Sequence, residues 1–519
     1  MSNAGSSLTH TLTSPRMQRL SLRLVIGLFG ASLAYLVFPS LGIWGLVFPM
    51  LALIYLSARG LRFWPAALVG LVSGFTFFAS QTSWLAMYLG PVPLIALSFL
   101  QALIFAVFFA FSAAVTTRVA KHLTGLQFAF ASAGITAIFW VGREWFSGNY
   151  PYGGFPWARL VSSQTETSLS RWVWLGGMPL ADLLIVFVTI LSIELLILRP
   201  TIRSLAAVAT AVTALYVVPM FLPINASAES GELTIASAQG NANAGLFSNR
   251  ESGQILENHI AASRELMATG QPFDVLVWPE NAVDLNLFGD EKNVQRIEAF
   301  VAELGKPLIF GTVTKRDKLY NSSILWLPGR GMTDWYDKLE PVPFAEYVPD
   351  RAFWNALAPD LIGLLSYDFS PGSRDGFFEV AGAKLGTLIC FEIAVDEIPP
   401  SLVNGGAEAI LSQTNNADFG KSDEAYQQLA IARLRAIESG RSLVNISTVG
   451  PSAVYLADGT EVDSLPAFTR GFMNTTLPLR TSKTPAIFTV QPITFAVLLT
   501  ASTLVLWLFG SSIKGRRRK

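Results

Sequence analysis

Cysteine and histidine are almost missing from this chain. Its 519 residues hold one cysteine, Cys390, and three scattered histidines, His10, His122 and His259. A lone thiol excludes an intrachain disulfide, a cysteine-rich zinc site and an iron–sulfur cluster, each of which needs several ligands close together. Charge is scarce as well: 14% of residues are charged, against roughly 25% in an ordinary soluble domain. The 37 basic and 37 acidic side chains cancel, so the electrostatic footprint of a nucleic-acid binder is absent. Apolar residues fill the space, at 51% of the chain with a mean hydropathy of +0.44. No soluble core absorbs that much apolar surface, so part of the chain uses lipid as its solvent.

Hydrophobic stretches of spanning length fall at about 21–39, 42–57, 63–88, 92–116, 127–145, 172–198, 203–222 and 490–512. Arg16, Arg19 and Arg23 precede the first, as in a signal peptide, but no small-residue cleavage site follows, which predicts a retained helix. Arg59 and Arg62 follow the second stretch, Arg118 and Lys121 the fourth, Arg199 and Arg203 the sixth, and the chain ends Lys514, Arg516, Arg517, Arg518, Lys519. The positive-inside rule then predicts eight spans with both termini cytoplasmic, and places 146–171 and about 223–486 outside the cytoplasm.

Residues 231–482 have a different character. Strand-like runs (LTIASAQG 233–240, DVLVWPE 274–280, PLIFGTVT 307–314, KLGTLICFE 384–392, AEAILSQTNN 407–416, SLVNISTVG 442–450) alternate with helical patterns at about 251–269, 291–304 and 422–439. Ser422 stands as the expected N-cap of the last helix and Gly440 as its stop. Nearly all-apolar strands alternating with helices predict an α/β domain around a buried sheet.

Three strand ends in this region carry reactive groups. Cys390 closes LGTLIC and precedes FEIAVDEIPP, which reads as a helix start whose N-terminus favours a thiolate. Glu280 ends DVLVWPE directly after Pro279, and Lys338 ends TDWYDK. Each has an ordinary reading alone: a small buried hydrophobe, an exposed strand end, a solvated lysine. With His259 in a helical pattern far from these turns, a Cys–His mechanism is disfavoured.

The order WPE, then YDK with PVPFAEYVP (341–349), then GTLICFE resembles the nitrilase superfamily of carbon–nitrogen hydrolases. The resemblance implies Glu280 as general base, Lys338 as electrostatic partner and Cys390 as nucleophile. Glu346 would orient Lys338, Glu392 would support the Cys390 turn, and the Phe391 backbone N–H would join Lys338 in holding an oxyanion. A thiol is mostly protonated at neutral pH, so a base and a cation beside it are what the chemistry requires.

With the hydrophobic spans added, almost the whole chain resembles the apolipoprotein N-acyltransferase family. GGFPWARLVSSQTETSLSRWVWLGG (153–177), QGN (239–241) and ARLRAIESGR (432–441) match as well. The implied fold class is a multi-span α-helical membrane domain plus an α/β nitrilase-like domain, an αββα sandwich. The expected divisions are a seven-helix membrane part at 1–222, an extracytoplasmic catalytic part at 223–486, and a terminal helix with basic tail at 487–519. The implied reaction moves a fatty acyl chain from a membrane phospholipid through a Cys390 thioester to the α-amine of a lipoprotein's diacylglyceryl-cysteine. It needs no metal and no cofactor, and implies the cytoplasmic membrane of a bacterium with the site facing outward.

The sequence departs from the family at Phe391, where tyrosine is usual, and at Asp418 in TNNADFG, where an aromatic is expected; Phe247 is the nearest aromatic after QGN. These departures leave the triad intact and bear on the substrate-contacting loops. The competing readings are a membrane-anchored amidase with the same triad and water as acceptor, or a non-catalytic membrane scaffold. The apolar stretch 346–370 reads either as a lid dipping into lipid or as a loop packed on the domain. Arg143, Glu144 and Arg159 are expected at the outer boundary, at lipid headgroups or as plain anchors, while Asp182 and Glu194 sit within a span, where ionisable residues are costly.

Overall fold

The computed structural model describes residues 15–243, 251–365 and 367–516. His10, Phe247 and the last three basic residues lie outside them. The chain divides into two compact units. One holds the residues up to Gly148, Ala158–Leu222 and Phe488 onward; the other holds Asn149–Trp157 and Pro223–Ile487.

The first unit is helical. Among the described residues seven helices are long and apolar enough to cross a membrane: Arg19–Val37, Phe63–Gln81, Pro91–Val119, Gly125–Asn149, Ser168–Leu198, Ile202–Phe221 and Pro485–Gly510. The stretch expected at 42–57 is shorter than the rest, Trp44–Ala58. Its α-helical part, Val47–Ala58, has 12 residues, or about 18 Å against a hydrocarbon core of about 30 Å. The expected 63–88 span also ends early, because Thr82 leaves helical geometry after Gln81. Phe63–Gln81 and Pro91–Val119 pack closely through Gly70 and Gly74: a Cβ at either would come within 2.9 Å of a Phe109 or Phe105 side-chain atom. This is the close approach that small residues four apart permit between membrane helices.

The ionisable residues here are paired inside the unit. Glu194 takes a two-pronged bond from Arg59, at 2.6 and 2.8 Å, and a bond from the Tyr55 hydroxyl. Arg143, Glu144 and Arg159 are buried, not displayed at an outer boundary as expected. Arg143 pairs with Glu144 at 3.2 Å and lies over the rings of Phe78, Phe105 and Trp140, while Asp182 accepts the Val161 N–H at 2.7 Å. Pairing and aromatic contact are how a low-dielectric interior tolerates such groups.

Among the described residues the second unit holds twelve strands in two sheets, ordered β12-β1-β2-β3-β4-β5 and β11-β10-β9-β8-β7-β6. The first comprises β1 (Gly231–Gln239), β2 (Val275–Val277), β3 (Leu308–Lys315), β4 (Leu319–Leu327), β5 (Gly331–Asp337) and β12 (Gly471–Leu479). The second comprises β6 (Phe377–Val380), β7 (Ala383–Ile389), β8 (Ala409–Thr414), β9 (Ser442–Ser447), β10 (Ser452–Tyr455) and β11 (Glu461–Leu465). One apolar core joins the sheets face to face, with Ile235, Val277 and Tyr336 from the first meeting Leu385, Leu411 and Val444 from the second. A second core packs helices Gln254–Ala268 and Glu291–Leu304 on the first sheet. Helices Ile398–Asn404 and Glu424–Ser439 pack against the second. The result is the αββα sandwich.

β1 and β12 pair antiparallel from Gly231↔Leu479 to Gln239↔Gly471, and Glu229 pairs with Arg480 beside that ladder at 2.6 Å. The last helix starts at Glu424 and Ser422 makes no capping bond, contrary to the expected N-cap, whereas Gly440 takes the left-handed φ of +65° that stops it.

Candidate active site

Three strand ends bring the expected residues together. β2 ends at Val277, and Glu280 follows on a turn that runs hard against β3. A Cβ on Gly311 would fall 2.5 Å from the Glu280 Cα, so only glycine lets β3 pass. β5 ends at Asp337, and the Lys338 N–H bonds the Asn321 carbonyl at 2.9 Å. β7 ends at Ile389, and Cys390 takes a φ of +56°, unusual for a residue with a side chain, before a 3₁₀ turn, Cys390–Ala394.

Lys338 is 1% exposed. Its ammonium lies 2.8 Å from Glu346 Oε2 and 3.9 Å from Glu280 Oε1. Asn321, unforeseen in the sequence, donates to both carboxylates at 2.7 Å, so one amide fixes the two acids around the cation. Glu346 also accepts the Val342 N–H at 2.6 Å, which ties down the PVPFAEYVP loop. Glu392 joins the Cys390 and Lys338 turns. It accepts from the Ile389 N–H at 2.7 Å, the Leu339 N–H at 2.6 Å, the Glu340 N–H at 3.2 Å and the Tyr336 hydroxyl at 2.8 Å.

The charges are deliberately unbalanced. Burial opposes the Lys338 charge, but Glu346 and Glu280 outweigh it and hold the ammonium above the ordinary lysine range. Burial pushes Glu280 up, with Lys338 pulling it back and Glu346 reinforcing the rise. Burial and the Glu280 carboxylate push the Cys390 thiol well up, against Lys338. The expected thiolate at a helix N-terminus is therefore not what the fold provides: a five-residue 3₁₀ turn follows Cys390. A thiol that holds its proton this firmly needs a neighbouring acceptor to lose it, and the Glu280 carboxylate is placed to be one. Burial also raises Glu392 and Glu424 to about 7.

Phe391 lies nearly parallel to Phe155 and Trp157, at 5.9 and 6.2 Å with interplanar angles of 17° and 9°, and those two rings are 5.7 Å apart. Both partners come from Asn149–Trp157, so the GFPW motif belongs beside Cys390. Asp418 lies in the 3₁₀ turn Ala417–Phe419. His259 bonds the Ile255 carbonyl and packs on Trp278, and burial lowers it to about 4, a neutral structural ring. Among the described residues no three His, Cys, Asp or Glu side chains are grouped to hold a metal ion. The sequence reading missed Asn321, Asn416, Glu424 and Gln428. The signal present was polar residues at all-buried strand positions, and Glu424 and Gln428 spaced one helical turn apart.

The family model for the apolipoprotein N-acyltransferase N-terminal domain matches residues 30–191, and that for carbon-nitrogen hydrolases matches residues 234–484. The chain is 30% identical to the apolipoprotein N-acyltransferase of Mycolicibacterium smegmatis, over 92% of this chain and 83% of that one. It is 28% identical to that of Pseudomonas putida, over 82% and 85%. A solved amidase from Nesterenkonia sp. is 18% identical, with a TM-score of 0.37, over 50% and 93%. The apolar helices and these relatives make the chain a bacterial membrane protein, and it belongs to the apolipoprotein N-acyltransferase family.

Proposed function

We propose that this membrane N-acyltransferase works through Cys390, Glu280 and Lys338. The Cys390 sulfur attacks the carbonyl carbon of a phospholipid acyl ester while Glu280 takes the thiol proton. Lys338 and the Phe391 N–H hold the oxyanion. The C–O bond then breaks, Glu280 returns the proton to the departing lysophospholipid oxygen, and a thioester remains. The α-amine of a diacylglyceryl-cysteine on a lipoprotein attacks that thioester, Glu280 carries its proton to the sulfur, and an amide forms. Glu346 keeps Lys338 in place, and Glu392 keeps the two turns in register.

One observation carries this reading: the only thiol of the chain sits with an ammonium wedged between two carboxylates, the set a thiol needs to attack an ester and later leave. Transfer is favoured over hydrolysis by the insertion at 346–370. Its helices Arg351–Leu357 and Pro359–Ile362 leave Phe353, Leu357, Leu364 and Tyr367 more than half exposed, although Arg351 and Asp368 pin its base at 2.5 Å. Such an apolar rim suits lipid substrates and keeps water from a thioester.

The α/β unit faces outward from the cytoplasmic membrane. The basic residues at 59–62, 118–121 and 199–203 support that side whether or not the short helix Trp44–Ala58 crosses, because only the side of the N-terminus depends on it. Arg16, Arg19 and Arg23 favour a crossing. Intact-protein mass spectrometry after incubation with phospholipid vesicles tests the reading. A fatty-acyl gain on Cys390, discharged by a diacylglyceryl-peptide, is expected. Discharge to water as fast as to the amine would make the protein an amidase-like hydrolase, and no adduct on folded protein would leave a scaffold.

A further inference from the structure

We propose that the Gln428 side-chain N–H holds the Cys390 sulfur, and that Asn416 is a positioning residue that dictates which end of the Gln428 amide the sulfur meets. The inference rests on Cys390 being the nucleophile. Gln428 Nε2 lies 3.7 Å from Cys390 Sγ, within reach of an N–H···S bond. A glutamine amide has two ends of opposite sign. With the N–H toward sulfur it stabilises negative charge there; with the carbonyl toward sulfur it repels it.

A sequence of bonds through Asn416 sets that choice. The Gly450 N–H donates to Ser447 Oγ at 2.9 Å, and Ser447 donates its hydroxyl proton to Asn416 Oδ1 at 2.6 Å. Thr414 donates to the same oxygen at 3.0 Å. The amide nitrogen of Asn416 must then point the other way, and its two protons go to Gln428 Oε1 at 2.7 Å and Glu424 Oε2 at 2.8 Å. Every hydrogen-bonding position of the Asn416 side chain is filled, and turning it over would set its oxygen against the Glu424 carboxylate. With Oε1 committed to Asn416, Gln428 presents its nitrogen to the sulfur. The packing leaves no slack: a Cβ on Gly450 would fall 2.4 Å from Asn416 Oδ1 and 2.9 Å from Ser447 Oγ.

The reaction uses this donor twice, when the thiol loses its proton to attack and when the thioester expels sulfur to the amine. In both steps charge on sulfur grows, and a donor already aimed there strengthens with it. The other groups facing the sulfur are Lys338, which favours the thiolate, and Glu280, Glu424 and Glu346, which oppose it. Gln428 is the neutral donor added to one favourable cation against three acids.

Because the chain has a single cysteine, alkylation by iodoacetamide reports this sulfur alone. The test measures the pH midpoint of alkylation for the full-length protein in detergent. Gln428→Leu is expected to raise the midpoint by about one pH unit, an approximately ten-fold slower reaction at pH 7, with the melting temperature retained. Asn416→Ala, which touches no sulfur, is expected to move the midpoint in the same direction by a smaller amount. A folded Gln428→Leu protein with the wild-type midpoint overturns the proposal. If that variant does not fold, Asn416→Ala decides alone, and an unchanged midpoint overturns it. The two readings fail separately: transfer activity surviving in Cys390→Ala would remove the nucleophile assignment, while the alkylation profile would still report the sulfur contact.

Discussion

In the helical unit Glu194 meets Arg59 fork to fork, and the Tyr55 hydroxyl uses part of the remaining acceptor capacity. In the α/β unit one lysine is shared between Glu346 and Glu280, with Glu392 and Glu424 buried nearby. Both are charges removed from water. The first group balances, one acid to one base, and its geometry satisfies both, so it fastens helices. The second does not balance, and the surplus acid keeps its members away from their ordinary proton affinities. Burial of charge serves assembly where it is matched and chemistry where it is left unmatched.

Removing groups from each cluster should break that contrast in different currencies. Cys390→Ala is expected to abolish both the acyl adduct and transfer while the protein still folds, read by mass spectrometry and melting temperature. Lys338→Met should slow adduct formation on the order of 10²–10³-fold through loss of oxyanion stabilisation; adduct formation at the wild-type rate would remove Lys338 from the mechanism. Glu424→Gln sharpens the comparison through pH. The folded carboxyl titrates at about 7 against an ordinary 4.5, so its contribution is fully present below 4.5 and is lost as pH rises through about 7. The variant should flatten the fall in stability over that window by roughly 3 kcal/mol, read as melting temperature against pH beside wild type.

Effects in the matched cluster should fall on stability instead. Glu194→Gln is expected to cost about 2 kcal/mol, below the figure for a fully buried pair because the Arg59 side chain is 33% exposed. Turnover per folded molecule should stay the same; a proportionate loss of turnover would mean the two clusters are not separate in role. Back in the unmatched cluster, Tyr336→Phe removes one of four donors to Glu392 and should cost about 1 kcal/mol, with little change in rate.

The three residues proposed to react were legible because each closes a strand and stands out against its neighbours: a carboxylate after WP, a lysine after WYD, the only thiol after LGTLI. Their supports were not. Asn321 lies on β4, whose sequence LYNSSILWL mixes polar and apolar residues although its central positions are buried. Glu424 and Gln428 are polar residues that the helical pattern at about 422–439 does not single out, yet both are buried. Hydropathy places side chains by average preference, and a buried amide is placed by one specific partner, which a single sequence does not display. The same averaging made 42–57 equal to its longer neighbours and put Arg143 and Glu144 at a boundary, when their partners are aromatic rings and each other.

The full-length pairing of β1 with β12 has a consequence for engineering and descent. It zips the entrance and exit of the α/β unit together, so the unit behaves as a cassette whose ends meet whatever chain they are spliced into. A host loop can accept such a cassette without stretching, but any host must also supply a segment like Asn149–Trp157, whose Phe155 and Trp157 stack on Phe391.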